Sequence, residues 1–147
     1  MFKRILVPTD GSAVANKAVR AGIRFAKEVG ARVVGYYAVE LIHPRVYGNG
    51  YVIDEKLIAE FDRRAKAVGA KHLAAMAKLA RSARVRFESV CDKAVTPYEG
   101  IVAAARRKRC DAIFIASHGR SGIARLVMGS VTSKVLANSR IPVVVYR

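Results

Sequence analysis

Four times along this chain a short apolar run gives way to a stretch with helical spacing, and a fifth apolar run follows the last of them. That alternation is the strongest constraint on the fold, because strands separated by helices must cross over and therefore pair in parallel. Phe2 to Val7 reads as a buried strand, and Asp10-Gly11-Ser12 as a turn that starts a helix. Val14, Ala18, Ala21, Phe25 and Val29 then recur at steps of three and four, with Lys17, Arg20, Arg24 and Lys27 on the opposite face. Gly30 ends this helix, and Arg32 to Val39 reads as the second strand. Glu40 to Gly50, with His43-Pro44 and Gly48-Asn49-Gly50, reads as a mobile surface loop.

A long helix follows, with Leu57, Phe61, Ala65, Val68, Ala75 and Leu79 as its apolar stripe and His72 beside them as a helix-interface residue. Val85 to Val90 is the third strand. Thr96-Pro97 opens the third helix, since proline suits the first helical position. That helix ends in Arg106-Arg107-Lys108-Arg109, where cations complement the dipole. Ala112 to Ala116 is the fourth strand, Ser117 to Met128 a loop, and Ser130 the cap of a fourth helix reaching Asn138. Pro142 to Tyr146 is the last strand. The whole of 1–147 reads as one domain with a parallel sheet covered by helices on both faces.

No apolar run approaches bilayer length, and Pro8-Thr9-Asp10 interrupts the first one too early for a signal peptide. The expected location is the cytoplasm. Cys91 and Cys110 lack metal-ligand or disulfide spacing and read as buried or partly buried free thiols. The chain carries 27 basic against 11 acidic residues, a net charge of +16. Such a field attracts polyanions. The basic residues, however, are dispersed over three helices without interleaved aromatics, as solvated helix faces are. Nucleic acid is therefore not the expected partner, and non-specific binding through charge stands as an alternative.

The loop after the fourth strand carries the functional signal. Ligands of open parallel sheets bind beyond the carboxyl ends of the strands, where the winding reverses. The segment reads Ala116-Ser117-His118-Gly119, nine residues, then Gly129-Ser130. Gly119 permits close backbone approach, and Gly129-Ser130 opens a helix whose N–H groups favour an anion. Arg120 and Arg125 add positive charge. The pattern is neither a P-loop nor a dinucleotide fingerprint, and a glycine-containing connection with an ordinary helix cap explains it equally well. His118 has no evident orienting partner for catalysis, and paired carboxylates are absent. Asp10 has two readings, ligand contact or turn and helix-cap acid.

Over this stretch, ASHGRSGIARLVMGSVTSKVL followed by IPVVVYR, and in the opening KRILVPTDGS, the chain resembles the universal stress proteins along essentially its whole length. The resemblance implies a three-layer Rossmann-like (adenine nucleotide alpha hydrolase-like) α/β fold, with five parallel strands in the order 3-2-1-4-5. It implies an ATP-binding stress-response protein that works as a nucleotide-dependent switch or interaction module, with slow hydrolysis at most. Mg²⁺ beside the phosphates is left open. Ala116, Ser117, Gly119, Gly129, Ser130 and Val131 would surround the ribose and phosphates. Pro8, Thr9 and Asp10 would lie near the adenosine, and the backbone of Ala38 at the adenine edge. His118, Arg120, Gly122 and Thr132 complete the implied nucleotide-binding set. Ala116 stands where the family pattern has its first glycine, so weakened binding is expected. The last strand, Val143, Val144 and Val145, would pair two copies into a homodimer. A stress or interaction role without nucleotide remains the alternative.

Overall fold

The structure, a computed structural model, describes residues 1–41, 55–119 and 128–147. Nine elements follow one another: β1 (Arg4–Pro8), α1 (Ala13–Glu28), β2 (Arg32–Glu40), α2 (Glu55–Ser82), β3 (Phe87–Ala94), α3 (Pro97–Arg107), β4 (Ala112–Ala116), α4 (Ser130–Asn138) and β5 (Val143–Tyr146). The strands form one parallel sheet in the order β3-β2-β1-β4-β5, the order that the family resemblance implies. β1 and β4 lie at its centre. Their continuous apolar runs reflect burial on both faces, and Ile5, Leu6 and Ile113 are fully buried.

The two sheet faces have separate cores. Ile5, Val7, Tyr37 and Phe114 pack with residues of α1 and α2, whereas Leu6, Tyr36, Ile113 and Ile115 pack with residues of α3 and α4. Adjacent residues thus serve opposite layers, as the period of a strand requires. Cys110 is buried in the second core, while Cys91 is exposed; the expectation of a buried or partly buried thiol holds for Cys110 alone.

Several element readings need correction. β1 starts at Arg4 rather than Phe2, and β3 runs Phe87–Ala94 rather than Val85 to Val90. β3 is an edge strand, and its polar half is held by ion pairs from Asp92 to Arg107 and from Lys93 to Asp62. The apolar stripe of α2 is displaced: Leu57, Phe61, Val68, Ala75 and Leu79 are exposed, while Gly69, Leu73, Met76 and Ala80 are buried. His72 does sit at an interface, stacked on the Tyr37 ring at 5.8 Å. Ser130 is the first residue of α4, not its cap; Gly129 holds the cap position and supplies no side-chain bond. The loop read at His43-Pro44 and Gly48-Asn49-Gly50 lies outside the described residues.

Helices α1, α2 and α3 end in the same way. The N–H groups of Ala31, Val85 and Cys110 donate to the carbonyls of Ala26, Ala80 and Ala105, five residues back. Those of Gly30, Arg84 and Arg109 donate three residues back, to Lys27, Arg81 and Arg106. This paired arrangement needs a left-handed residue just past the helix end. Gly30 supplies it after α1 with φ +70°, whereas after α2 and α3 the position is taken by Arg84 at φ 60° and Arg109 at φ 51°.

Candidate functional site

Because β1 connects to one side of the sheet and β4 to the other, the loops leaving their carboxyl ends diverge and open a crevice. The first loop is tied by its own side chains. Gly11 N–H donates to Thr9 Oγ1 at 3.1 Å, Ser12 N–H to Asp10 Oδ1 at 2.9 Å, and Ala15 N–H to Ser12 Oγ at 3.2 Å. Ser12 is thus the cap of α1, and Asp10 has the turn role read for it. Its second carboxylate oxygen faces the other loop, where a Cβ on Gly119 would lie 2.7 Å from Asp10 Oδ2. The two loops meet at that contact.

The second loop is tied by backbone. Ser117 N–H donates to Tyr146 O at 2.7 Å, Gly129 N–H to Ser117 O at 2.8 Å, and Thr132 Oγ1 to Ala116 O at 2.7 Å. The first N–H bonded back toward the start of α4 is that of Ser133, to Gly129 O at 3.0 Å. Those of Ser130, Val131 and Thr132 have no acceptor among the described residues, as at any open helix start.

Between the loops lies a cavity of about 260 Å³. Pro8, Thr9 and Asp10 line it from the first loop, and Ala116, His118 and Gly119 from the second. Gly129, Ser130, Val131 and Thr132 line its helix end, and Ala38 lies on the β2 side. Ser117 is not in the lining; it is buried, and its carbonyl anchors Gly129. Arg120, Gly122 and Arg125 lie outside the described residues. The sequence reading missed Ala15, Tyr36, Tyr37 and Glu40, and also Pro97 and Ile101 of α3 and Ile115 of β4. Only the strand register and the placement of α3 bring these to the crevice.

Among the described lining residues there are two carboxylates, Asp10 and Glu40, and no lysine or arginine. Attraction for an anion there comes from the α4 N–H groups and dipole. His118 adds to it. Its Nδ1 lies 2.8 Å from Ser117 Oγ, while Nε2 is buried and has no partner among the described residues. Tyr36 is fully buried, and burial, with Asp92 nearby, pushes its hydroxyl up to about 12. No described base, nucleophile and orienting group stand together in the crevice, and no group of three or more His, Cys, Asp or Glu side chains assembles among the described residues.

Ala116 ends β4 with 5% exposure, and it is not among the residues with positive φ. An alanine therefore sits there without backbone strain.

Comparison with known proteins places the chain clearly. The model of the Universal stress protein family matches residues 1–147. A universal stress protein of Methanocaldococcus jannaschii is 32% identical over 151 residues, spanning 100% of this chain and 83% of its own. Universal stress protein YxiE of Bacillus subtilis is 32% identical over 151 residues, spanning 100% of both. The solved structure of hypothetical protein MJ0577 superposes with a TM-score of 0.82 at 23% identity, covering 99% of this chain and 95% of that one. A universal stress protein in complex with cAMP gives 0.73 at 19% identity, covering 99% and 97%. One from Archaeoglobus fulgidus in complex with dAMP gives 0.64 at 20%, covering 99% and 98%. At these identities the three structures bear on the fold.

Proposed function

The chain belongs to the universal stress protein family, and from that premise we propose that it binds an adenine nucleotide, ATP foremost, in the β1/β4 crevice and acts as a nucleotide-dependent switch or interaction module. The observation that carries this reading is the meeting in one cavity of an open helix start, Gly129 to Thr132, with His118 Nε2, which is buried and has no partner among the described residues. Two solved relatives hold cAMP and dAMP, which supports the adenine nucleotide class. The N–H groups of Ser130, Val131 and Thr132 receive the phosphates, and the Ala38 backbone faces the adenine edge. The carboxylate of Asp10 is placed to accept from ribose hydroxyls. The cavity is lined apolarly by Ile101, Ile115 and Pro97, as a base requires.

β5 is an edge strand with half-buried Val143, Val144 and Val145, and its pairing with a second copy would cover that edge. A homodimer through this strand, acting in the cytoplasm, belongs to the same proposal.

Calorimetry with ATP and AMP tests it, and no heat of binding at millimolar ATP overturns it. The informative variant is Gly129→Val. A Cβ at Gly129 would lie 3.1 Å from Ser117 O and 3.2 Å from His118 Cα, so backbone rather than a flexible side chain must give. The variant, whose neighbours must give by a few tenths of an ångström, is expected to lose at least about tenfold in affinity, roughly 1.4 kcal/mol. Its circular dichroism should match the parent's. Ala116→Gly is expected to change affinity less than about threefold, roughly 0.6 kcal/mol. A gain of tenfold or more would show that the alanine methyl obstructs the phosphates.

A further inference from the structure

The end of the sheet opposite the crevice gathers charge that the linear sequence disperses. Lys3 and Arg4 enter β1, Arg32 enters β2, Arg86 precedes β3, and Arg140 precedes β5. The helices finish at the same end with Lys27, with Arg81 and Arg84, and with Arg106 to Arg109. Twelve basic residues thus meet three acids, Glu28, Glu88 and Asp111. Some of this charge is spent internally: Lys108 pairs with Glu88 and Arg107 with Asp92, while the Asp111 carboxylate accepts the N–H groups of Lys3 and Arg4. Lys3, Lys27, Arg32, Arg81, Arg84 and Arg86, like Arg106, Arg109 and Arg140, form no ion pair among the described residues.

Helix dipoles account for cations in a last helical turn, and so for Lys27, Arg81 and Arg106. Two observations remain. First, Arg4 is the direct register partner of Arg32, and Arg86 O accepts from Val33 N–H beside them. Three arginines therefore cross three neighbouring strands in one row; Arg4 Nη1 donates to Lys108 O at 2.6 Å, and one carboxylate beside the row, Glu88, is shared by Arg4, Arg32 and Lys108. Secondly, Arg84 and Arg109 occupy left-handed positions that glycine fills without strain, as Gly30 does in the equivalent turn. The second choice works against stability, and both add guanidinium charge to the same end. A requirement at the surface explains them together.

We propose that this basic end of the sheet is a docking surface for the phosphate backbone of a nucleic-acid duplex, read without sequence preference. Nine of the twelve cations are arginines, whose planar forks match phosphate oxygens. Among the described residues no large exposed aromatic lies at this end; Phe61, the exposed one, is near the start of α2. Stacking on unpaired bases therefore has no platform here. An anionic lipid surface is disfavoured too, because Met1 and Leu79 are the large exposed apolar side chains at this end, too few for insertion.

The test is fluorescence anisotropy of a labelled random-sequence DNA duplex with the full chain over a KCl series. Binding should weaken linearly in log–log form with salt and be unchanged for a second sequence. The double variant Arg84→Gly/Arg109→Gly should bind about 10- to 100-fold more weakly near 0.1 M salt, with the slope reduced by about 2. It should melt no lower than the parent, because glycine relieves the left-handed strain. Lys17→Ala/Lys71→Ala removes the same charge from exposed helix positions away from this end and should weaken binding less than about threefold. Equal losses in the two double variants would reduce the effect to net charge and overturn the proposal. So would a lowered melting temperature of the glycine variant, absence of binding at low salt, or tighter binding to phosphatidylglycerol vesicles than to the duplex.

Discussion

Raising the pH from about 9 to about 12 is expected to remove about 5 kcal/mol of folding stability, enough to unfold a domain of ordinary stability. Two buried groups cause this. Burial pushes the Cys110 thiol from 9.0 to about 11, and burial, with Asp92, pushes the Tyr36 hydroxyl from 10.0 to about 12. In each case the folded chain holds its proton to higher pH than the unfolded chain does. The stabilisation is therefore fully present below the unfolded value and is lost as pH climbs through the folded one. Each displacement, of about two units, corresponds to roughly 2–3 kcal/mol. Both residues lie in the core between the sheet and α3 and α4, where an anion has no solvent to receive it.

Most of the chain's other charges, which sum to +16, lie at its surface. Those charges are mostly exposed and screened, each contributing tenths of a kcal/mol, so the buried pair should prevail. Urea midpoints read by circular dichroism across this range would measure the decline. Cys110→Ala should flatten it between pH 9 and 11, and Tyr36→Phe between 10 and 12. Tyr36→Phe should also be neutral or stabilising below pH 9, because the Tyr36 hydroxyl is buried without a partner among the described residues. Unchanged pH profiles in both variants would refute this account.

The sheet was legible in the sequence because its central strands are buried on both faces. Ile5-Leu6-Val7 and Ala112 to Ala116 are uninterrupted apolar runs that allow little else. The edge strand β3 was misplaced because its polar residues are satisfied at long range: Glu88 by Lys108, Asp92 by Arg107 and Lys93 by Asp62. Helix α2 misled for a different reason. Leu57, Phe61, Val68 and Leu79 face solvent, while Leu73 and Met76 are buried beside Gly69 and Ala80, which permit close packing; a Cβ on Gly69 would lie 2.6 Å from the Tyr37 ring. Burial there follows shape rather than hydrophobicity. At the crevice, the two loops announced themselves through turn chemistry. Tyr36, Pro97 and Ile101 did not, because nothing local distinguishes a core residue from a pocket wall. The basic end was equally hidden, since only the sheet order brings residues from Lys3 to Arg140 together.

Gly11→Ala is expected to destabilise the chain by about 2–5 kcal/mol, and the fold says how that loss divides. Gly11 has φ +79°, so any side chain there meets left-handed strain of about 1–2 kcal/mol. A Cβ would also lie 2.3 Å from the His72 ring, an overlap whose relief costs about 1–3 kcal/mol more. His72 cannot move freely, because it is stacked against Tyr37 at the sheet. Removing the ring with His72→Ala forfeits that contact, for about 1 kcal/mol, but opens the space a Cβ at position 11 needs. The double variant should then lose about 1–2 kcal/mol less than the sum of the two single losses. Chemical denaturation of the four proteins measures that coupling. Additive losses would mean that backbone strain alone makes glycine necessary after Asp10. The predicted coupling would mean that α2, through His72, sets the position of the turn carrying Asp10 into the crevice. In that case Gly11→Ala should weaken ATP binding as well, and the added His72→Ala should restore part of it.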